Sequence, residues 1–152
     1  MSLGMTAFEI VPGAASPDSL VDTSALARFP HHPLVQAALR DPIEEGRVAC
    51  CEMTWLEMGI TARNLSEHAA LGRALELMPR VRMEASDFSR AWHVQALLAG
   101  TARHRGVGVP DLLVAACAER FGLTVIHCDS DFDLIGEVTD QPMRWAVDRS
   151  LL

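Results

Sequence analysis

The chain has 152 residues, 49% hydrophobic and 22% charged, which suits one soluble globular domain and excludes a disordered chain. Its net charge of −7 comes from 20 acids against 13 bases, every one of them arginine. That balance excludes broad nonspecific wrapping of nucleic acid, but it leaves room for a small site where metal ions and a few arginines meet a phosphate.

No apolar run approaches the ~20 residues of a membrane helix, and no signal-peptide pattern opens the chain. A cytoplasmic protein without membrane attachment or organic cofactor is expected. Residues 1–19 read as an N-terminal extension whose start, MSLGM, is in part an expression scar, and residues 20–152 read as a single domain. Cysteines 50, 51, 117 and 128 form neither a CxxC pair nor a zinc half-site. Buried free thiols in a reducing compartment are expected.

In chain order, Leu20 and Val21 form a first strand ending at Asp22, and the Thr/Ser pair after it suits a helix start. PLVQAALR, 33 to 40, predicts a short helix opened by Pro33, with Asp41-Pro42 beginning a turn or a further brief helix closed by Gly46. Arg47 to Cys51 reads as a buried strand. The next helix is expected to be capped by Thr54, with Glu57 three residues on. A helical run over 65 to 78 stops near Pro79. Ser86 and Asp87 begin another, with Phe88, Ala91, Trp92, Leu98, Ala99 and Ala102 as its apolar stripe and RHRG as its basic end. A glycine-rich loop and Pro110 lead into a small-residue helix ending at Gly122. Leu123 to Cys128 is the clearest strand, and MRWAV, 143 to 147, the last.

This alternation predicts an α/β protein with a mostly parallel sheet, and such sheets place their sites beyond the carboxyl ends of the strands. Asp22 and Asp129 both follow apolar strands, and Glu57 and Asp111 are expected in first helical turns at the same edge. Each acid alone is readily explained as a cap. Together, without a counterion, they would repel and desolvate one another, so a divalent cation with hard oxygen ligands, Mg²⁺ or Mn²⁺, is the simplest remedy.

The segments VDTSAL at 21–26, LEMGITAR at 56–63, VPDLLVAACAE at 109–119 and VIHCDSDFDLI at 125–135 together resemble a PIN domain, and more narrowly the VapC-type toxins of bacterial toxin–antitoxin pairs. The resemblance implies a three-layer α/β/α sandwich and a metal-dependent endoribonuclease. It implies an acidic pocket of Asp22, Glu57, Asp111 and Asp129, joined by Asp131, with Thr23 or Ser24 positioning a ligand. It also implies a homodimer silenced by a VapB-type antitoxin that enters or covers the groove.

On that reading one or two ions activate water for phosphodiester hydrolysis; two would lie ~4 Å apart. Asp22 and Asp111 are the expected direct ligands, and Asp129 binds directly or through water beside Asp131. Glu57 binds the second ion or orients water. With lysine absent, Arg28, Arg103, Arg105 and Arg144 are the candidates for phosphate contact. His127 is expected to pack or face solvent, Trp55 and Trp145 to pack, and Asp133 to face solvent or cap locally. An inactive PIN-fold module that binds only RNA or protein is the alternative. A dehalogenase-like phosphatase lacks its second aspartate in VDTSA, and a calcium loop lacks its glycine and distant glutamate.

Overall fold

The computed structural model describes residues 8–9 and 16–152, so the proposed expression-derived start lies outside the described residues. Its centre is a six-stranded sheet in the order β1-β4-β3-β2-β5-β6, formed by Phe8–Glu9, Arg80–Val81, Val48–Cys51, Ser19–Val21, Thr124–His127 and Met143–Trp145. Every pairing is parallel except that of β1 with β4.

Strand alternation divides the core in two. Leu20, Ala49, Cys51 and Val125 face one helical layer, α5 (Ala85–Ala99), α6 (Val109–Arg120) and α7 (Asp131–Thr139). Val21, Val48, Cys50 and Ile126 face the other, α1 (Thr23–Leu26), α2 (Pro33–Glu44), α3 (Glu52–Ile60) and α4 (Leu65–Leu75). The result is an α/β/α sandwich: the alternation of elements led one to expect the mostly parallel sheet, and the family resemblance its three layers. All four cysteines are buried free thiols. No helix among the described residues is long and apolar enough to cross a membrane.

Helix α6 is the central packing element. Leu112 through Cys117 and Ala118 are all buried, because small side chains let the helix press onto the sheet on one side and α5 on the other. Gly122 follows it at φ 66, a left-handed conformation that lets the Leu123 amide return to the Ala118 carbonyl at 2.9 Å and turns the chain directly into β5.

Several local expectations are corrected. Helix α2 runs through Pro42 to Glu44, since near a helix end the missing N–H removes a single hydrogen bond while buried Val35 and Leu39 hold the rest to the sheet. Thr54 is not a cap: α3 starts at Glu52, directly off β3, and the Thr54 hydroxyl donates instead to the Val21 carbonyl at 3.3 Å. Glu57 therefore stands in the second turn rather than the first. Helix α5 ends at Ala99, short of Ala102 and the basic RHRG run, and its buried face is Asp87, Ala91, Val94 and Leu98. Phe88 and Trp92, one position round the helix, are 59% and 74% exposed. The two-residue strand β4 carries no periodic signal of its own; it is defined by its partners, Cys50–Cys51 on one side and Phe8–Glu9 on the other.

Candidate active site

The acidic site lies where β2 and β5, neighbours in register, both end. Asp22 is the first residue after β2. Its amide donates to the Ile126 carbonyl at 2.9 Å, continuing the ladder, and its side chain caps α1 by accepting from the Ser24 amide at 2.9 Å. The Ser24 hydroxyl accepts from the Cys128 amide at 2.9 Å and so stitches the end of β5 to α1. Ser24→Ala is expected to cost about 1–2 kcal/mol, because a part-buried N–H loses its acceptor. Chemical denaturation would measure it, with no change in slope.

Asp129 follows β5 by two residues. Its Oδ1 accepts from the Asp131 amide at 2.9 Å, a turn that brings the Asp131 side chain back over the strand end. Asp131 Oδ2 in turn accepts from the Gly108 amide at 3.1 Å, which ties it to the start of α6. Asp111 projects from the first turn of that helix. One oxygen from each of Asp111, Asp129 and Asp131 lies within 4.8 Å of the other two, a spacing that a single cation could span. Glu57 adjoins Asp22 from α3, its Oε1 accepting from the Thr23 hydroxyl at 3.3 Å.

The electrostatics are those of carboxylates lacking a counterion. Burial, then the charges of Asp22, Asp131 and Asp129, push the Asp111 carboxyl up to about 8. Burial above all raises Asp22, against the lowering effect of Ser24 and Thr23, and Asp129 adds to it. Glu57 is raised by burial and then by Asp22. Asp22 is 3% exposed, and its Oδ1 has no hydrogen-bond partner among the described residues. A buried carboxylate oxygen left bare at the edge of a carboxylate cluster is the donor a hard cation would use. The residues present fit Mg²⁺ or Mn²⁺: the set is all oxygen, and the buried Cys128 thiol is raised by burial, not activated.

The proposed arginines are spread unevenly. Arg28 adjoins α1 and the end of β5, its guanidinium donating to the Ser24 carbonyl at 2.6 Å and acting on Cys128. Arg103 is engaged by Glu137, and Arg105 and Arg144 are exposed. Arg120 is absorbed by a buried ion pair with Asp87 at 2.8 Å. Glu52 accepts from the Met83 amide at 2.9 Å and is structural. Asp133, expected to face solvent or cap locally, stands in the first turn of α7 with its side chain 42% exposed, and it also accepts from the Trp145 indole at 3.0 Å, a long-range pairing without a local sequence signal.

Residues 19–138 match the PIN domain family model, and the chain belongs to that family. Its relatives place it among the VapC-type members. It is 44% identical over 128 residues to Ribonuclease VapC51 of Mycobacterium tuberculosis, covering 84% of this chain and 92% of the relative. It is 39% identical over 129 residues to Ribonuclease VapC21 of the same species, covering 84% and 93%. Among solved structures, a DNA-bound VapBC from Salmonella typhimurium superposes with TM-score 0.70 at 15% identity, over 87% of this chain and all of that one, which reflects the shared fold.

Proposed function

We propose that this chain is the toxin of a toxin–antitoxin pair and acts as a metal-dependent endoribonuclease. The observation that carries the reading is the meeting of one oxygen each from Asp111, Asp129 and Asp131 within 4.8 Å, beside Asp22, whose buried Oδ1 has no partner among the described residues and whose charge helps hold the Asp111 carboxyl near 8. The names of the VapC ribonuclease relatives support RNA as the substrate.

On this reading Asp111, Asp129 and Asp131 hold the ion, and Asp22 completes its shell or, with Glu57, holds a second. A bound Mg²⁺ or Mn²⁺ would lower the pKa of water and neutralise charge building on the phosphate. The chain's own residues do the remaining work. Thr23 orients the Glu57 carboxylate, and Ser24 fixes the spacing of Asp22 from the end of β5. Arg28, tied to the Ser24 carbonyl, is one candidate for the phosphate; Arg103, Arg105 and Arg144 are the others, and Arg103 must first leave Glu137.

The partners follow the exposed apolar surface. Leu56, Ile60 and Leu65 on α3 and α4 are 69%, 84% and 84% exposed and flank Glu57, which suits an antitoxin segment lying over the acids. Phe88, Trp92 and Val109 rim an apolar hollow of about 200 Å³ on α5 and α6, the surface for a second copy of the chain. A homodimer working in the cytoplasm is the form proposed.

Incubating the purified, antitoxin-free protein with total cellular RNA, with and without Mn²⁺, and mapping the new 5′ ends tests activity and target together. Discrete cuts only with metal are expected. Intact RNA under both conditions would leave a PIN-fold binding module as the better reading.

A further inference from the structure

Strand β5 ends on His127, whose fully buried ring lies between Phe132 and Trp145, with centroids 5.1 and 5.0 Å away. Such an imidazole would ordinarily only pack, but here both nitrogens face polar groups. Nδ1 accepts the Asp129 backbone N–H at 3.3 Å. That N–H can only donate, so Nδ1 carries no proton and the neutral ring is protonated on Nε2. Nε2 is buried without a hydrogen-bond partner among the described residues, 3.9 Å from Asp133 Oδ1. The Asp133 carboxylate is anchored by the Trp145 indole, which donates to its two oxygens at 3.0 and 3.2 Å. Register places Trp145 directly across from His127 on β6.

We infer that His127 is a positioning residue of the acidic site: held between the Phe132 and Trp145 rings with Nε2 turned towards Asp133, it accepts the Asp129 amide on Nδ1 and so fixes the direction of the Asp129 carboxylate. With the amide held from behind and Oδ1 accepting from the Asp131 amide, the carboxylate has one orientation relative to the strand end. The consequence for metal binding rests on the nuclease reading; the hydrogen bond from the Asp129 amide to His127 does not.

The test uses the full chain with ¹⁵N-labelled histidine at neutral pH, the His127 signals being assigned by their loss in His127→Asn. Long-range proton–nitrogen correlation is expected to show a protonated Nε2 and a bare Nδ1. The opposite tautomer, or a doubly protonated ring, would overturn the inference.

Two variants then separate positioning from packing. In His127→Asn the carboxamide oxygen takes the place of Nδ1, while His127→Phe fills the ring volume without an acceptor. Packing alone favours Phe in a slot between aromatic rings; positioning favours Asn. The Asn variant is expected to keep the Asp129 amide protected from hydrogen exchange and to hold Mn²⁺ within about threefold of the parent, whereas Phe loses that protection and about 10–100-fold in affinity. Equal behaviour of the two, or the reverse order, refutes the role. A parent protein that binds no Mn²⁺ would sink the nuclease reading alone, since tautomer and amide protection are read without metal and decide the positioning role by themselves.

Discussion

Asp111→Asn is expected to lower Mn²⁺-dependent RNA cleavage by about 10²–10³-fold, the range seen when one preorganised electrostatic group is removed from a catalytic site. The same change is expected to raise the melting temperature of the metal-free protein at pH 8. The two effects have one cause. Asp111 is pressed on first by burial and then by Asp22, Asp131 and Asp129, so its ionised form is costly. A carboxamide keeps the shape and removes the charge. Cleavage assays alongside thermal melts would check both; a variant that loses activity and stability together would point to a damaged fold.

Metal and pH are expected to act in opposite directions on stability. The Asp111 carboxyl is raised from an ordinary 3.8 to about 8, so between those values the folded protein binds more protons than the unfolded chain. Stability from this group is therefore fully present below about pH 4 and is lost as pH climbs towards 8. Raised Asp22 and Glu57 add in the same direction. The metal-free protein should thus melt higher at pH 6 than at pH 8. An ion needs the deprotonated acids, so its affinity should rise over the same interval with release of protons. At a hundred times its dissociation constant Mn²⁺ would add about 2.7 kcal/mol. For a domain of this size that is a rise of roughly 5–10 °C over chelator. Melting curves with Mn²⁺ or chelator at the two pH values test this. A metal-induced rise no larger at pH 8 than at pH 6 would contradict it.

The sequence carried much of this site because its acids sit at punctuated places. Asp22 and Asp129 follow short apolar strands, and Asp111 follows a proline that opens a helix; each position is fixed by backbone chemistry readable over a few residues. What lay beyond reading depends on contacts across the fold. Thr54 has the composition of a cap, but burial against β2 gives its hydroxyl a better acceptor in Val21. Trp92 has the composition of core, and only the packing of α5 against α6 and α7 turns it outwards. The cluster of Asp111 with Asp129 and Asp131 depends on Gly108 holding the Asp131 side chain, and the Asp133–Trp145 pair on the register of β6. None of these is set by sequence neighbours.

The central claim is that the acids form a preorganised divalent-cation site, and calorimetric titration of Mn²⁺ into the metal-free, antitoxin-free protein at pH 8 measures it most directly. Saturable binding of one or two ions is expected, lost in both Asp22→Asn and Asp111→Asn. Heats no greater than dilution, or binding unchanged in both variants, would contradict it.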